Sequence, residues 1–246
     1  MKIIHDMHTH TTYSHGKNTI EEMVLRAREI GLKAITISDH GRSHPLFGVR
    51  KKNFKKMRQE IDALNEKYDD IRIFLSVESN ITGRNGNIDI GPEEKEYCDW
   101  ISAGYHYGYI PATLADIFLF AIPNYLAAVI PPLRKKVVEM NTKTYVQAIQ
   151  KNKIRLITHP GDKLPINIEP VAHAAAKCGT LLEINPRHDH LNVEEIKVAM
   201  QYPVEFAINS DAHSLDALGD MRDTPQIVVA ADLPIQRIVN VSDETD

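Results

Sequence analysis

The sequence predicts an α/β fold with helices packed on a parallel sheet, and three observations carry that prediction. Short runs rich in β-branched residues recur along the chain, the mark of parallel strands buried on both faces. Amphipathic helical patterns lie between several of them, which favours crossover units over hairpins. Clusters of histidine and acid sit at the C-terminal ends of these runs, where the strands of a parallel barrel converge on one mouth. The 246 residues suit one α/β domain, read as a single unit over 1–246 with neither linker nor internal repeat.

In chain order, the run 2–7 (KIIHDM) leads into the cluster HDMHTH at 5–10. Thr19 and Glu22 form a capping box ahead of a helix whose apolar positions Ile20, Met23, Val24, Ala27 and Ile30 share one face, and Gly31 supplies its stop. The run 33–38 (KAITIS) ends in Ser38-Asp39-His40, residues 53–67 read as a helix, and the run 71–78 (IRIFLSVE) closes on Glu78. The run 99–105 (DWISAGY) precedes His106, and 154–159 (IRLITH) ends in His159. A helix over 168–178 stops at Gly179, the run 180–185 (TLLEIN) follows, and a helix over 193–201 opens with Glu194 and Glu195, acids suited to a helix N-terminus. The last run, 204–210 (VEFAINS), delivers Asp211 and His213. Seven strands suggest a barrel of seven units, although periodicity alone fits an open sheet as well.

One stretch breaks the rhythm. Residues 107–140 form an insert, within which Ile117–Leu133 carries no charge. It is short for a membrane span, is cut by Pro123-Asn124, and lies between two candidate ligands. It is expected to be a lid over the mouth or an interface in a homo-oligomer, with ordinary core packing as the plain alternative.

Composition narrows the function. Hydrophobic residues make up 43% and charged residues 25% of a chain of net charge −4, so an ordinary core is expected and no basic excess points to nucleic acid as a partner. Cys98 and Cys178 show no paired spacing and read as small buried hydrophobes. The N-terminal MKIIHDMHTH lacks an apolar leader segment, so a cytoplasmic location is expected.

His8 and His10 project to the same side of an extended chain and can chelate one ion. Glu78 has two carboxylate oxygens and can bridge two. Asp211 and His213 repeat the two-residue spacing. Together with His15, His40, His106 and His159, they make a nitrogen- and oxygen-rich site; no paired cysteines accompany them as a thiolate zinc site would need.

The order HxH, SDH, E, H, HP, SDAH resembles the PHP (polymerase and histidinol phosphatase) family over roughly residues 3 to 240. That resemblance implies a distorted seven-stranded (β/α)7 TIM-like barrel holding three divalent transition metals, zinc, manganese or iron, at the C-terminal face of the strands. By the same resemblance, His8, His10, Glu78 and Asp211 match ligands of a first metal, Glu78, His106 and His159 those of a second, and His15, His40 and His213 those of a third. At His15 the chain reads YSHG where many members carry aspartate-glycine, a form similar to the small stand-alone phosphatase branch. The implied activity is that of a metal-dependent phosphoesterase, most simply a phosphomonoesterase on a small phosphorylated substrate.

Elementary electrostatics agrees with a phosphate substrate. Three divalent cations against two carboxylates leave a centre of roughly +4 that attracts anions. Metals lower the pKa of bound water toward about 7 in the best zinc case, so hydroxide can attack phosphorus without a serine or cysteine nucleophile. Asp39 is a candidate for orienting a ligand imidazole or relaying a proton, and Arg187 for clamping phosphate through two hydrogen bonds. Arg42, Lys163 and His188 are weaker candidates of the same kind, while His5, His44, His173 and His190 read as structural or surface residues. Rival readings are a phosphodiesterase or exonuclease, a metal-dependent amidohydrolase and a non-catalytic metal-binding module. The amidohydrolase fits poorly, since the fourth strand ends in His106 and no lysine lies between Glu96 and Lys135.

Overall fold

Strands form where the β-branched runs are buried, and most of them pair in parallel. The computed structural model describes residues 1–127 and 129–243; position 128, inside the expected insert, and 244–246, at the end of the expected domain, lie outside the described residues. The strands are β1 (Lys2–Ile3), β2 (His5–Thr9), β3 (Ala34–Ile37), β4 (Arg72–Leu75), β5 (Glu78–Gly83), β6 (Asn87–Ile88), β7 (Ile101–Gly104), β8 (Ile154–Ile157), β9 (Leu181–Ile184), β10 (Phe206–Ile208) and β11 (Val241–Ser242). β2, β3 and β4 pair in parallel. β5, β7, β8, β9 and β10 pair in parallel in that order, with β6 folded back antiparallel on β5. Isolated parallel bridges, Thr9 to Ala212 and His40 to Glu78, link the two parallel sheets at both of their seams. β1 and β11 pair antiparallel.

Two runs that read as single strands are split. β4 pairs with β3 as far as Leu75 opposite Ile37, and after Ser76 and Val77 the chain changes partner, so that β5 pairs with β7 from Glu78 opposite Ser102. Glu78 therefore opens a strand, and its N–H is shared between the carbonyls of Ser38 (3.2 Å) and Asp39 (3.1 Å). The run 2–7 breaks at Ile4, whose N–H leaves the ladder for the carbonyl of Asn240 at 3.0 Å.

Helices Ile20–Glu29, Lys51–Lys67, Ile168–Cys178 and Val193–Ala199 fall between strands. Thr19 and Glu22 close the expected capping box, and Ile20, Met23, Val24 and Ala27 face the core. Phe54, Met57, Ile61 and Leu64 form the buried stripe of the second helix. Gly179, at φ +67°, ends the third in the left-handed conformation a glycine adopts most easily.

The insert is helical and one-sided. Helix Leu114–Asp116 runs into a π-helical turn, Ile117–Ala121, then into helix Ile122–Ala127. Pro123 has no N–H to give, and the wide turn before it carries the chain through the proline that reads in sequence as a break. Phe120 is fully buried, edge-on to Tyr105 with centroids 6.0 Å apart, and Asn124 exchanges amide hydrogen bonds with Asn141 of the helix Arg134–Asn152. Leu114, Phe118, Tyr125 and Val129 face outward and are between 52% and 77% exposed. Among the described residues no helix is long and apolar enough to cross a membrane.

Asn240 staples the seam between β2 and β10. Its Nδ2 donates to the carbonyls of His5 (2.8 Å) and Ile208 (2.6 Å), and its Oδ1 accepts from the Ile208 N–H (3.0 Å). Asn240→Ala leaves these buried backbone groups without partners and should cost about 3 kcal/mol. The midpoint of urea unfolding checks this; a loss below about 1 kcal/mol would mean that the seam is held by other contacts.

Candidate metal centre

All six clusters arrive at one end of the parallel strands. His8 and His10 come from the end of β2, His40 from the loop after β3, Glu78 from the start of β5, His106 and His159 from just beyond β7 and β8, and Asp211 and His213 from beyond β10. Glu78 stands among them. Its Oε1 is 2.8 Å from His159 Nε2, 3.3 Å from His106 Nε2 and 3.4 Å from His8 Nε2, while its Oε2 is 3.0 Å from His40 Nδ1 and 3.6 Å from His10 Nε2. Asp211 Oδ1 lies 3.1 Å from His10 Nε2 and 3.5 Å from His8 Nε2.

These contacts resolve into three overlapping triangles whose ligand atoms lie within 4.8 Å of one another: His8, His10 and Asp211; His40, Glu78 and His106; and His10, His40 and His213. The first sits inside a ligand set expected from the sequence; the second keeps Glu78 and His106 but holds His40, expected in the third set, in place of His159. In the third, His10 stands where His15 was expected. His15 is nearby, its ring centroid 4.2 Å from that of His213 and 4.8 Å from that of His40.

The donor set fits cations. Among the described residues, the buried Nδ1 atoms of His10 and His159 have no hydrogen-bond partner. Buried polar atoms in a folded protein normally find one. His8 and His10 also bring their Nε2 atoms within 3.1 Å of each other. The Nδ1–H of His8 donates to Glu183 Oε1 at 2.8 Å and that of His106 to Asn80 Oδ1 at 2.9 Å. Both Nε2 lone pairs are thereby turned toward the centre, as for a metal-binding imidazole whose far nitrogen is held by a carboxylate or amide.

Burial pushes His10 well below the ordinary imidazole value, with neighbouring His40 adding to it. Burial likewise takes His106 to about 3 and His15 to about 4. These rings are neutral at neutral pH and keep free lone pairs. Burial opposes ionisation of Glu78 and Asp211, but the facing His8, whose own value Glu183, Glu78 and Asp211 raise against its burial, together with hydrogen bonds from neighbouring rings, outweighs it and holds both well below the usual carboxylate range.

Several supporting residues escape sequence reasoning. Fully buried Glu183 accepts four hydrogen bonds, from His8 Nδ1, Asn209 Nδ2, Asn185 Nδ2 and the His159 N–H. Its signal in sequence is one acid inside an otherwise apolar strand, TLLEIN. Asp6 accepts from Ser210 and from the Gly219 N–H, fixing the loop that carries Asp211. A Cβ on Gly104 would stand 2.3 Å from Thr158 Oγ1 and 2.9 Å from His159 Cε1, so a side chain there would displace a candidate ligand. His159 (φ +30°) and Asp211 (φ +51°) both hold left-handed backbone, a strain that non-glycine residues tolerate where surrounding structure enforces it.

The Asp39 carboxylate accepts from the Thr11 N–H (2.7 Å), Thr11 Oγ1 (2.6 Å) and Ser14 Oγ, and so ties the loop between His10 and His15 to the end of β3. Arg187 is exposed and donates from Nε to the Ser210 carbonyl at 2.8 Å. His188, a minor candidate in sequence, lies between Asp162 Oδ2 (3.1 Å) and Asp211 Oδ2 (3.4 Å).

Comparison with known proteins adds family context. A family model described as PHP domain matches residues 6–159. A "Probable phosphatase" of Shewanella piezotolerans is 28% identical in an alignment of 257 residues that takes in 99% of this chain and 92% of that protein. The structure of histidinol phosphate phosphatase from Lactococcus lactis, complexed with zinc, L-histidinol and phosphate, superposes with TM-score 0.59 at 15% identity, over 95% of this chain and 93% of the other. An archaeal ribonuclease P chain superposes with TM-score 0.53 at 11% identity, covering 94% and 84%. At these identities the two structures speak to the fold alone.

Two outcomes follow from this geometry. Glu183→Gln keeps the shape but weakens the hold on His8, and zinc affinity measured by competition with a chelating dye should drop by about 10- to 100-fold; an unchanged affinity would show His8 to be held by its packing. In the metal-free protein, His106 and His15 stay neutral well below their ordinary value of 6.5. The unfolded chain therefore takes up protons below that pH that the folded chain refuses, and stability falls as pH drops from 6.5 toward 4. The thermal midpoint should fall by roughly 4 °C or more between about pH 6.5 and pH 5, and a flat profile would contradict it.

Proposed function

Because this chain belongs to the PHP domain family, we propose that it is a metal-dependent phosphoesterase, specifically a phosphomonoesterase acting on a small phosphorylated substrate. The observation that carries the reading is the buried Glu78 carboxylate, with imidazole nitrogens of His8, His40, His106 and His159 within 3.4 Å of its oxygens. Glu78 would be shared between two ions, one also held by His8, His10 and Asp211 and the other by His106 and His159, with His40 at its edge. His15, His40 and His213 would hold a third, His10 lying alongside. Divalent zinc, manganese or iron held there would supply a Lewis acid and an activated water.

The chain's own groups do the rest. Arg187, anchored through Nε, would offer its terminal nitrogens to two phosphate oxygens. Asp39 keeps the loop between His10 and His15 in place through Thr11 and Ser14. His188 orients Asp211. The two seam bridges support a distorted seven-stranded barrel in which β4 and β5 count as one bent strand. The outward apolar side chains of the insert support its reading as a lid or as an interface in a homo-oligomer.

The likeness to the probable phosphatase of Shewanella favours a phosphatase reading over a polymer-cleaving one. Metal-replete protein should therefore hydrolyse an aryl phosphate monoester faster than the matching diester. Elemental analysis should find about two to three transition-metal ions per chain. His159→Ala and Asp211→Ala should each lower kcat by about 100-fold or more. Faster cleavage of the diester, or equal turnover after chelation, would overturn the reading.

A further inference from the structure

Beside the candidate centre, a cavity of about 390 Å³ opens between the insert and the loops after β8 and β9. Tyr107, adjacent in sequence to His106, forms one wall, and Gly161 and Lys163, just past His159, form another. His190 stands at its edge with Nε2 3.8 Å from Asp162 Oδ1, while Asp162 Oδ2 is 3.1 Å from His188 Nδ1 and His188 Nε2 is 3.4 Å from Asp211 Oδ2. A file of two side chains, Asp162 and His188, thus separates the cavity wall from a candidate ligand.

The lining has a definite chemistry. Ala127, Val138 and Pro165 are apolar, and Tyr107 presents a ring stacked on Tyr125 at 5.3 Å. The charged groups among the described lining residues are Arg134 and Lys163; Lys163 Nζ lies 3.3 Å from Asp162 Oδ2, so its charge is already paired, and Arg134 is the cation that faces a ligand. Both are anchored by backbone. Arg134 Nε donates to the Ala127 carbonyl at 3.3 Å, and the Tyr107 hydroxyl donates to the Lys163 carbonyl at 3.1 Å. Lys163 itself holds φ +55°, strain of a kind that gathers at ligand sites. Apolar walls lower the local dielectric, so cations beside them attract an anion more strongly than they would in open solvent.

We propose that this cavity is the leaving-group subsite of the phosphoesterase, and that it takes an apolar leaving group bearing a second acidic function, a carboxylate or a phosphate, in preference to an amine. The proposal rests on the phosphomonoesterase reading above. In the reaction, water adds to phosphorus, the phosphorus–oxygen ester bond breaks, and the leaving oxygen takes the proton that water gives up. The second acidic group stays intact in the cavity throughout, paired with Arg134.

The test compares metal-loaded wild type, Arg134→Ala, Arg134→Lys and Arg134→Glu on four matched esters: phenyl, carboxyphenyl and aminomethylphenyl phosphate, and benzene bisphosphate. In wild type, kcat/KM for the carboxylate or the bisphosphate should exceed that for phenyl phosphate by about tenfold, and whichever is larger identifies the acid. The amine should fall below phenyl phosphate. Arg134→Ala should bring the ratio toward one while phenyl phosphate turnover stays within about twofold, Arg134→Lys should keep it above one, and Arg134→Glu should favour the amine. Ratios unchanged in both Arg134→Ala and Arg134→Glu, or an amine preferred by wild type, overturn the subsite while leaving the phosphoesterase standing. If no ester is turned over, the phosphoesterase reading fails by itself. Calorimetry with phenylphosphonate and carboxyphenylphosphonate then decides the cavity: tighter binding of the carboxylate that is lost in Arg134→Ala upholds it, and equal binding in wild type overturns it.

Discussion

A carboxylate buried among imidazoles is the constraint around which the rest of this structure is arranged. Glu78 is fully buried, and five histidine nitrogens lie within 3.6 Å of its two oxygens. A buried carboxylate is costly unless opposite charge and hydrogen bonds offset the loss of water. His10 and His106, which burial keeps neutral, offset it only in part. The Nε2 atoms of His8 and His10, brought within 3.1 Å of each other, are those a cation would use. A site that is poorly satisfied as protein alone becomes well satisfied once positive charge enters it.

The fold spends its polar interior on holding that arrangement. The change of sheet partner after Leu75 carries Glu78 from the β3 side to the β7 side and lets one carboxylate reach histidines from both sheets. Glu183 serves two clusters at once, the His8 ring and the His159 backbone. Asp6 and Asn240 fasten the chain beyond β10 back onto the start of β2, so that Asp211 approaches His8 and His10 despite lying some two hundred residues away. Ligands so distant in sequence gain from rigid support, because a displacement of about 1 Å at such a site is enough to degrade it.

Much of this is visible in the chain itself. The histidine clusters stand out because short motifs recur at the ends of β-branched runs, and parallel strands bring such ends together. Helices with clear caps, such as that opened by Thr19 and Glu22, are legible for the same local reason. Glu183 and Asp6 are not, since each lies inside a strand-like run where pairing partners far along the chain decide whether an acid is buried or exposed. The break at Ser76 and Val77 is likewise invisible, because the run 71–78 is continuous in hydrophobicity and only the choice of neighbouring strand divides it. The insert misleads in another way: Pro123 reads as an interruption, yet a π-helical turn carries the helical path past it.

The sharing of Glu78 between two ions is the claim from which the rest follows, and anomalous X-ray scattering tests it most directly. Crystals grown with manganese or zinc, measured on either side of the metal edge, should show two separate peaks, each about 2.0–2.2 Å from a different oxygen of Glu78. One peak should face Asp211 and the other His106. Density that avoids the Glu78 carboxylate, or a single ion bound by Asp211 and His10 alone, would contradict the account.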